Sequence, residues 1–295
     1  MTSHEANCTA RSWLFAPGDS EKKIQKAAES TADIAIFDLE DAVAPENKPA
    51  ARKLVLEFLH RQSSPHDRLW VRINPLDGPH SLLDLAAVMP GRPGGVLLPK
   101  SRGRQDVERL DHYLSALEVA NGIDLGSTKV LVLVTETAEG MLNTGVYKGA
   151  SRVVALSWGA EDLADDLGAS ENRKPDGSYG FTYELARSLC LLGAATAGMV
   201  AIETIQADFK DLAGLRQRAE QARRDGFRGM LAIHPAQVDI INAAFAPSAA
   251  DIASAEEIVA LFAAHPGVGT VGYKGAMLDR PHLARAQSLL KLAGR

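Results

Sequence analysis

Carboxylate side chains follow several short apolar segments of this sequence, and their chemistry suits a metal ion. Glu136 and Asp162 come at the ends of two consecutive segments, with no cluster of Cys and His nearby. Carboxylate oxygens favour a hard divalent cation, Mg²⁺ or Mn²⁺, which commonly takes one or two protein carboxylates and completes its coordination with water and substrate. Glu136 and Asp162 are therefore predicted to be metal ligands. The alternative interpretation is a buried salt bridge with Arg72 or Lys100.

Arg72 and Lys100, which follow two other apolar segments, are the candidate substrate-binding cations. The guanidinium of Arg72 can bind a carboxylate through two parallel hydrogen bonds and can stabilise negative charge that develops in a reaction. Glu40 and Asp41 add two acids at an equivalent position. Each charge taken alone could simply mark the exit of a strand into solvent. The set as a whole favours a site, because solvent-exposed exits would carry lysine as often as carboxylate.

Eight apolar segments, most of them followed by a helix-like stretch, indicate the elements that must position these residues. The segments are apolar throughout rather than alternating, as is typical of parallel strands covered on both faces. Eight β/α units predict an α/β protein with a closed (β/α)₈ TIM barrel, in which the carboxyl ends of the strands meet on one face. The predicted strands span residues 12–17, 33–40, 69–74, 95–100, 130–136, 153–158, 199–203 and 230–235.

The remainder of the chain has a different pattern. Residues 11–245 are predicted to form the TIM-barrel catalytic domain, and residues 246–295 a C-terminal helical extension that acts as a lid. Ser248 and Asp251 have the spacing of a capping box at the start of a helix, and a last helix is expected from about Arg280.

A glycine-rich segment, GVGTVG at residues 267–272, lies between these two helices. It matches GxGxxG, the fingerprint of dinucleotide binding, which must follow a strand and open a helix. Here the segment follows a helix and a proline and runs into a further loop. These glycines are therefore predicted to form a mobile hinge rather than a nucleotide site.

Composition excludes several classes of protein. The chain has 295 residues with 46% hydrophobic and 23% charged content, near the globular average, and a net charge of −5 without a polybasic run, which argues against general binding to nucleic acid or membrane surfaces. The uncharged stretch 188–202 is too short to span a bilayer. Two cysteines, Cys8 and Cys190, make no disulfide framework, and the N-terminal residues lack the pattern of a secretion signal. A cytoplasmic location is expected.

Seven segments, taken in order along the chain, resemble the citrate lyase β-subunit-like family. This family contains citryl, malyl and citramalyl thioester lyases and belongs to the larger HpcH/HpaI superfamily of metal-dependent aldolases. The segments that carry the resemblance are RSWLFAPGD (11–19), IFDLEDAVAPENKPAAR (36–52), VRINPLDGP (71–79), LLPKS (97–101), VTETAEGMLN (134–143), LSWGAEDLADDLG (156–168) and GFRGMLAIHPAQVDIINAAFAPS (226–248).

The resemblance implies roles for the acidic and basic residues named above. It implies that Glu136 and Asp162 hold Mg²⁺, and that Glu40 and Asp41 lie beside the waters of the metal. It also implies that Arg72 binds the keto-acid part of the substrate.

The segment MLDRPH (277–282) is similar to the lyases of the malyl and citramalyl type. The resemblance implies that its aspartate, Asp279, acts over the active site of a neighbouring subunit in a homo-oligomer, a trimer or hexamer. The alternative is a structural role, because an aspartate directly before Arg280 and Pro281 is a good helix N-cap.

These inferences together predict a Mg²⁺-dependent carbon-carbon lyase. The expected substrate is a 3-hydroxyacyl-CoA thioester of the citramalyl-CoA or malyl-CoA type, cleaved to acetyl-CoA and a 2-oxo acid, pyruvate or glyoxylate. One alternative is a malyl-CoA thioesterase on the same scaffold. The other is a citryl-acyl-carrier-protein lyase β subunit that works only within a complex.

Overall fold

A computed structural model describes residues 9–62 and 66–295 of the chain. Eight parallel strands form a closed barrel in sequence order, and β8 completes it by pairing with β1. The barrel strands are β1 Ser12–Pro17, β2 Ile34–Asp38, β3 Leu69–Arg72, β4 Gly95–Leu98, β5 Lys129–Leu133, β6 Val153–Ser157, β7 Val200–Glu203 and β8 Gly229–Ala232. The predicted (β/α)₈ barrel is thus confirmed.

Helices follow the strands and cover the barrel. Those of the barrel region are α1 Glu21–Ala28, α2 Lys48–Arg61, α3 Ser81–Val88, α4 Arg104–Ala120, α5 Ala138–Leu142, α6 Glu161–Asp166, α7 Phe181–Ala197, α8 Leu212–Asp225 and α9 Pro235–Phe245. Among the described residues, no helix is long and apolar enough to cross a membrane. Cys190 is fully buried in α7, whereas Cys8 lies outside the described residues.

Bulky side chains from every strand form one buried cluster, whose aromatic members are Trp13 and Trp70. Their indole rings meet edge to face, with centroids 5.0 Å apart, a favourable geometry for aromatic pairs. Gly95 makes room for this contact, since a Cβ there would lie 2.5 Å from the Trp70 ring. The barrel is therefore packed with side chains, and the polar residues gather beyond the carboxyl ends of its strands.

Six of the predicted strands extend beyond the carboxyl ends of the observed ones, and β2 and β5 are examples. β2 ends at Asp38 rather than at residue 40, and β5 ends at Leu133 rather than at residue 136. Thr135 and Glu136 are nevertheless buried. The sequence pattern followed burial, which continues into these loops after the strand pairing has ended.

The chain divides into two compact units, one ending at Ala244 and the other comprising Phe245–Arg295. The second unit contains four elements: α10 Ala249–Ala264, β9 Thr270–Tyr273, β10 Ala276–Asp279 and α11 Arg280–Leu292. Phe262, Val271 and Leu278 form its own small hydrophobic core. The capping box of Ser248 and Asp251 at the start of α10 is present as predicted.

The glycine-rich segment is more regular than the predicted hinge. Residues 270–273 form β9, which pairs antiparallel with β10. Lys274 and Gly275, both at positive φ, join the two strands, as is typical of a tight two-residue hairpin turn. The expectation of a loop after the glycine-rich segment was wrong. Only Lys274 and Gly275 form the turn, and the residues on either side of them pair as strands.

Candidate active site

The predicted site residues of the barrel come together beyond the carboxyl ends of neighbouring strands. Arg72 is the last residue of β3, while Glu40 and Asp41 follow β2 by two and three residues. Lys100 follows β4, and Asp162 lies in the first turn of α6, after β6. Parallel pairing of consecutive strands carries all these positions to one face.

Arg72 is held by two carboxylates. Its Nε and Nη2 atoms donate to the two oxygens of Asp38, at 2.7 and 2.6 Å, and its Nη1 lies 2.8 Å from Glu40 Oε2. The guanidinium also lies over the ring of Phe15, 4.9 Å from its centroid. Burial alone would lower the pKa of Arg72, but Asp38 and Glu40 raise it above its usual value. The arginine is a fixed cation with part of its five N–H donors still available.

Lys100 joins the acids of the site. Its ammonium Nζ lies 2.7 Å from Glu40 Oε1 and 2.9 Å from Asp162 Oδ1, and its main-chain N–H donates to Glu136 Oε2 at 2.8 Å. Its φ of 50° is in the left-handed region, which costs free energy for a non-glycine residue and is common at functional sites. Burial lowers the pKa of Lys100, but Glu40 and Asp162 more than compensate and raise it.

Glu136 is a buried carboxylate with other acids around it. Only 3% of it is exposed. Burial raises its pKa well above the usual value, and the negative charges of Asp162 and Glu40 raise it further. Gly159 leaves the space that this carboxylate occupies, since a Cβ there would lie 2.7 Å from Glu136 Cγ and 2.9 Å from its Oε1. The local sequence thus accommodates a carboxylate at an unfavourable position.

Glu40 and Asp41 differ in environment although they are adjacent. Glu40 is buried, and burial together with repulsion from Asp41 raises its pKa to about 7, although Arg72 and Lys100 lower it. Asp41 has 56% of its side chain exposed, with its carboxylate 3.4 Å from the Lys100 ammonium. Of the two predicted outer acids, Glu40 is the one embedded in the site.

The composition of this cluster fits a divalent cation. The carboxylates are more numerous than the cations that contact them, and the cluster comprises Asp38, Glu40, Asp41, Glu136 and Asp162 around Arg72 and Lys100. The atoms of this cluster that could coordinate a metal are all carboxylate oxygens, which Mg²⁺ prefers. Among the described residues, no three His, Cys, Asp or Glu converge on one point. Glu136 and Asp162 remain the candidates for a two-carboxylate site of the kind Mg²⁺ commonly takes.

The alternative interpretation, a salt bridge, applies to one of the two candidate metal ligands. Asp162 forms an ion pair with Lys100, 27% of its side chain being exposed. Glu136, in contrast, accepts a main-chain N–H from Lys100. An ion pair and metal binding are compatible at Asp162, because a carboxylate has two oxygens.

Asp279 lies in the C-terminal unit, at the N-cap of α11. Its side chain and that of His282 form a capping box, and their carboxylate and imidazole are in direct contact. The hydrogen bond from His282 is the main cause that lowers the pKa of Asp279. The structural role that was the alternative for this residue is therefore present.

Two groups of contributing residues were missed by the sequence reasoning. Asp38 was not predicted to be the partner of Arg72, although β2 and β3 pair these two residues directly. Lys48 and Asn74 are buried behind the site. A lysine at the start of a helix is usually solvated, so its type alone gave no signal.

Comparison with known proteins identifies the family. The HpcH/HpaI aldolase/citrate lyase family model matches residues 11–235, which include every barrel residue of the cluster. The chain belongs to this family. The model describes aldolases and citrate lyases, so the prediction of an enzyme of this family is confirmed.

Individual relatives of this family member carry different activities in their names. A citrate lyase subunit beta-like protein of Mycobacterium tuberculosis is 35% identical over 96% of this chain and 95% of its own length. A (3S)-malyl-CoA thioesterase of Cereibacter sphaeroides is 34% identical over 96% of this chain and 94% of its own. The crystal structure of the protein CitE from M. tuberculosis, in complex with magnesium, acetoacetate and coenzyme A, has a TM-score of 0.81 at 32% identity, covering 97% of this chain and 98% of that one.

Proposed function

We propose that the protein is a Mg²⁺-dependent lyase that cleaves a citramalyl-CoA or malyl-CoA type thioester to acetyl-CoA and pyruvate or glyoxylate. The observation that carries this proposal is the convergence of Glu136, Asp162 and Arg72 at the carboxyl face of the barrel. The magnesium, acetoacetate and coenzyme A bound by the CitE relative support the same cofactor and ligand classes.

The barrel residues have complementary tasks in this reaction. Glu136 and Asp162 would hold Mg²⁺, which when bound polarises the hydroxyl and carboxylate oxygens of the substrate. Arg72, oriented by Asp38, would bind the carboxylate that becomes part of the 2-oxo acid, through its remaining N–H donors. Lys100, whose side chain is 28% exposed, would add a second positive charge for the substrate. Cleavage removes the hydroxyl proton, breaks the bond between the α and β carbons and leaves a thioester enolate, which takes up a proton.

We propose that Asp279 transfers the proton of the enolate carbon. This aspartate would come from the lid of a neighbouring subunit. Its lowered pKa favours the carboxylate form, which suits removal of a proton from acetyl-CoA in the condensing direction. In cleavage the same carboxylate must first take up a proton before it can protonate the enolate carbon. We propose that residues 246–295 serve as this lid over a barrel domain of residues 11–245, in a homo-oligomer.

Mixed oligomers test this arrangement. Asp279→Asn and Glu136→Gln chains, each inactive alone, should regain part of the activity when they are mixed and form hetero-oligomers. Full activity of folded Asp279→Asn would leave only its capping role. Failure to recover activity, although hetero-oligomers form, would mean that Asp279 works within its own chain.

Two relatives favour alternatives that the same assay separates. The thioesterase relative supports hydrolysis of malyl-CoA, and the citrate lyase subunit beta-like relative supports action within a complex. Purified protein with Mg²⁺ should be offered (R)- and (S)-malyl-, citramalyl- and citryl-CoA, with products identified by mass. The lyase yields acetyl-CoA and a 2-oxo acid, whereas a thioesterase yields free malate and CoA. No turnover of any CoA thioester by the chain alone would favour a β subunit that needs its complex.

A further inference from the structure

A buried lysine stands directly behind the acids of the site and belongs to none of the roles above. Lys48 is the first residue of α2 and is only 6% exposed. Its ammonium donates to three acceptors, each at 2.8 Å: the main-chain oxygens of Leu39 and Glu40 and the side-chain Oδ1 of Asn74. An ammonium has three N–H donors. All three are therefore used by the protein itself, so Lys48 has no donor left for a substrate.

The location of Lys48 is unfavourable for a cation in two respects. Lysine is rarely fully buried, and the N-terminal end of a helix carries the positive end of the helix dipole, which disfavours a positive charge. Lys53, one turn further along the same helix, has 78% of its side chain exposed. Nothing local favours a lysine at this position, so its burial is explained by its contacts, which include the turn that presents Glu40.

A chain of buried hydrogen bonds fixes the third acceptor of Lys48. Asn74 Nδ2 donates to Leu39 O and to Asp84 Oδ2, at 2.8 and 2.6 Å, so its Oδ1 must face Lys48. Asp84, which is fully buried, also accepts from Arg52 Nε at 2.6 Å. Each polar group restricts the next one. The ammonium is thereby held in one position against the main chain of residues 39 and 40.

We propose that Lys48 is a positioning residue for the Glu40 carboxylate. By clamping the main-chain oxygens of Leu39 and Glu40, it fixes where the Glu40 side chain meets Arg72 and Lys100, 2.8 and 2.7 Å away. Lys100 in turn contacts both candidate metal ligands. Loss of Lys48 would let this turn relax and would loosen the carboxylate cluster, although Lys48 touches neither metal nor substrate.

Binding of Mn²⁺ tests this proposal without a turnover assay. It rests on the metal site of the proposed function but not on the identity of the substrate. The Mn²⁺ dissociation constant should be measured by electron paramagnetic resonance for wild type, Lys48→Met, Glu40→Gln and the double variant. The control is Lys53→Met, which removes the same charge from an exposed position of the same helix.

The expected direction separates positioning from simple electrostatics. Removing a positive charge near the site would by itself strengthen Mn²⁺ binding, whereas loss of positioning weakens it. We expect Lys48→Met and Glu40→Gln each to weaken Mn²⁺ binding by about 10-fold or more, as is typical for groups that orient metal ligands. The double variant should bind no more weakly than Glu40→Gln, because neighbours in one network are not additive. Lys53→Met should match wild type.

Several results would overturn the proposal. These are unchanged or tighter binding by folded Lys48→Met, losses that multiply in the double variant, or wild-type binding by Glu40→Gln. If Lys48→Met does not fold, Asn74→Ala replaces it in the same cycle, since it removes the third acceptor and keeps the lysine. The outcome is independent of the product assay: coupling in Mn²⁺ binding without turnover of any CoA thioester would uphold the role of Lys48 and refute the proposed reaction.

Discussion

Two ionic clusters occupy opposite ends of the barrel strands and are built from the same residue types. The first lies before β6, where Arg152 forms two parallel hydrogen bonds with Glu118, at 2.7 and 2.8 Å. Glu118 also accepts from the main-chain N–H groups of residues 126 and 128. Although burial would raise its pKa, these donors lower it to about 2. Here every charge has its partner.

The second cluster, beyond the carboxyl ends of the strands, has more acids than partners. Burial, with repulsion from Asp41, outweighs the nearby cations and raises the pKa of Glu40 to about 7, the opposite of the change at Glu118. Free energy is thus lost by keeping carboxylates together at one end of the barrel and gained by pairing them at the other. We infer that the paired cluster stabilises the fold, whereas the acid-rich cluster supports the proposed cation site.

The largest effect is expected where the acid-rich cluster loses a candidate metal ligand. Glu136→Gln keeps the size of the side chain but removes its charge, and Asp162→Asn does the same at the second position. Since a bound metal supplies several kcal/mol, turnover should fall about 10³-fold. Steady-state rates with added Mg²⁺ check this. Near-normal turnover of either variant in chelated buffer would refute the metal assignment.

A substitution in the paired cluster of Arg152 and Glu118 should instead lower the stability of the fold. Glu118→Gln leaves Arg152 paired with the partly exposed Asp111 but removes its fully buried counter-charge, so the free energy of unfolding should fall by about 3 kcal/mol. Urea denaturation measures this loss. Turnover per folded molecule should stay at the wild-type value, and a drop in that value would erase the contrast between the two clusters.

Arg72→Lys tests the shape of the cation at the site rather than its charge. Lysine cannot reproduce the planar fork that binds Asp38 and would bind a substrate carboxylate. We expect kcat/KM to fall by tens-fold, since each 1.4 kcal/mol is tenfold. The condensing direction, with the 2-oxo acid varied, is the informative assay. An unchanged kcat/KM for the 2-oxo acid would remove Arg72 from substrate binding.

The smallest effect concerns the acid limb of stability. The pKa of Glu118 is lowered in the folded protein to about 2, so its contribution is complete above the unfolded pKa of about 4.3 and is lost as pH falls toward the folded value. The stability difference between wild type and Glu118→Gln should therefore shrink below about pH 4.3. Denaturation curves at several pH values measure it. A difference that stays constant down to pH 3 would contradict the lowered pKa.

The sequence predicted the barrel well because parallel strands buried on both faces have an unmistakable pattern. β1, for example, was predicted with its observed bounds, Ser12–Pro17. It also predicted that these acids and bases gather at one end of the barrel, because in a closed parallel barrel the strand ends must meet on one face. Strand ends such as that of β5 were less certain, since buried loop residues continue the apolar pattern.

Other parts of the site depend on contacts that residue types do not reveal. The pairing of Asp38 with Arg72 follows from the register between β2 and β3, which no local pattern specifies. The burial of Lys48 depends on three acceptors, of which one comes from Asn74, far along the chain. Tertiary structure decides in both cases which of many charged residues is enclosed.

The packed indole rings of Trp13 and Trp70 determine how ligands can reach and leave the site. With Gly95 allowing the rings to fill the barrel axis, the strands enclose a solid plug and not a channel. Whatever reaches the acids at the carboxyl face must come from that face, and each fragment formed there must leave by it.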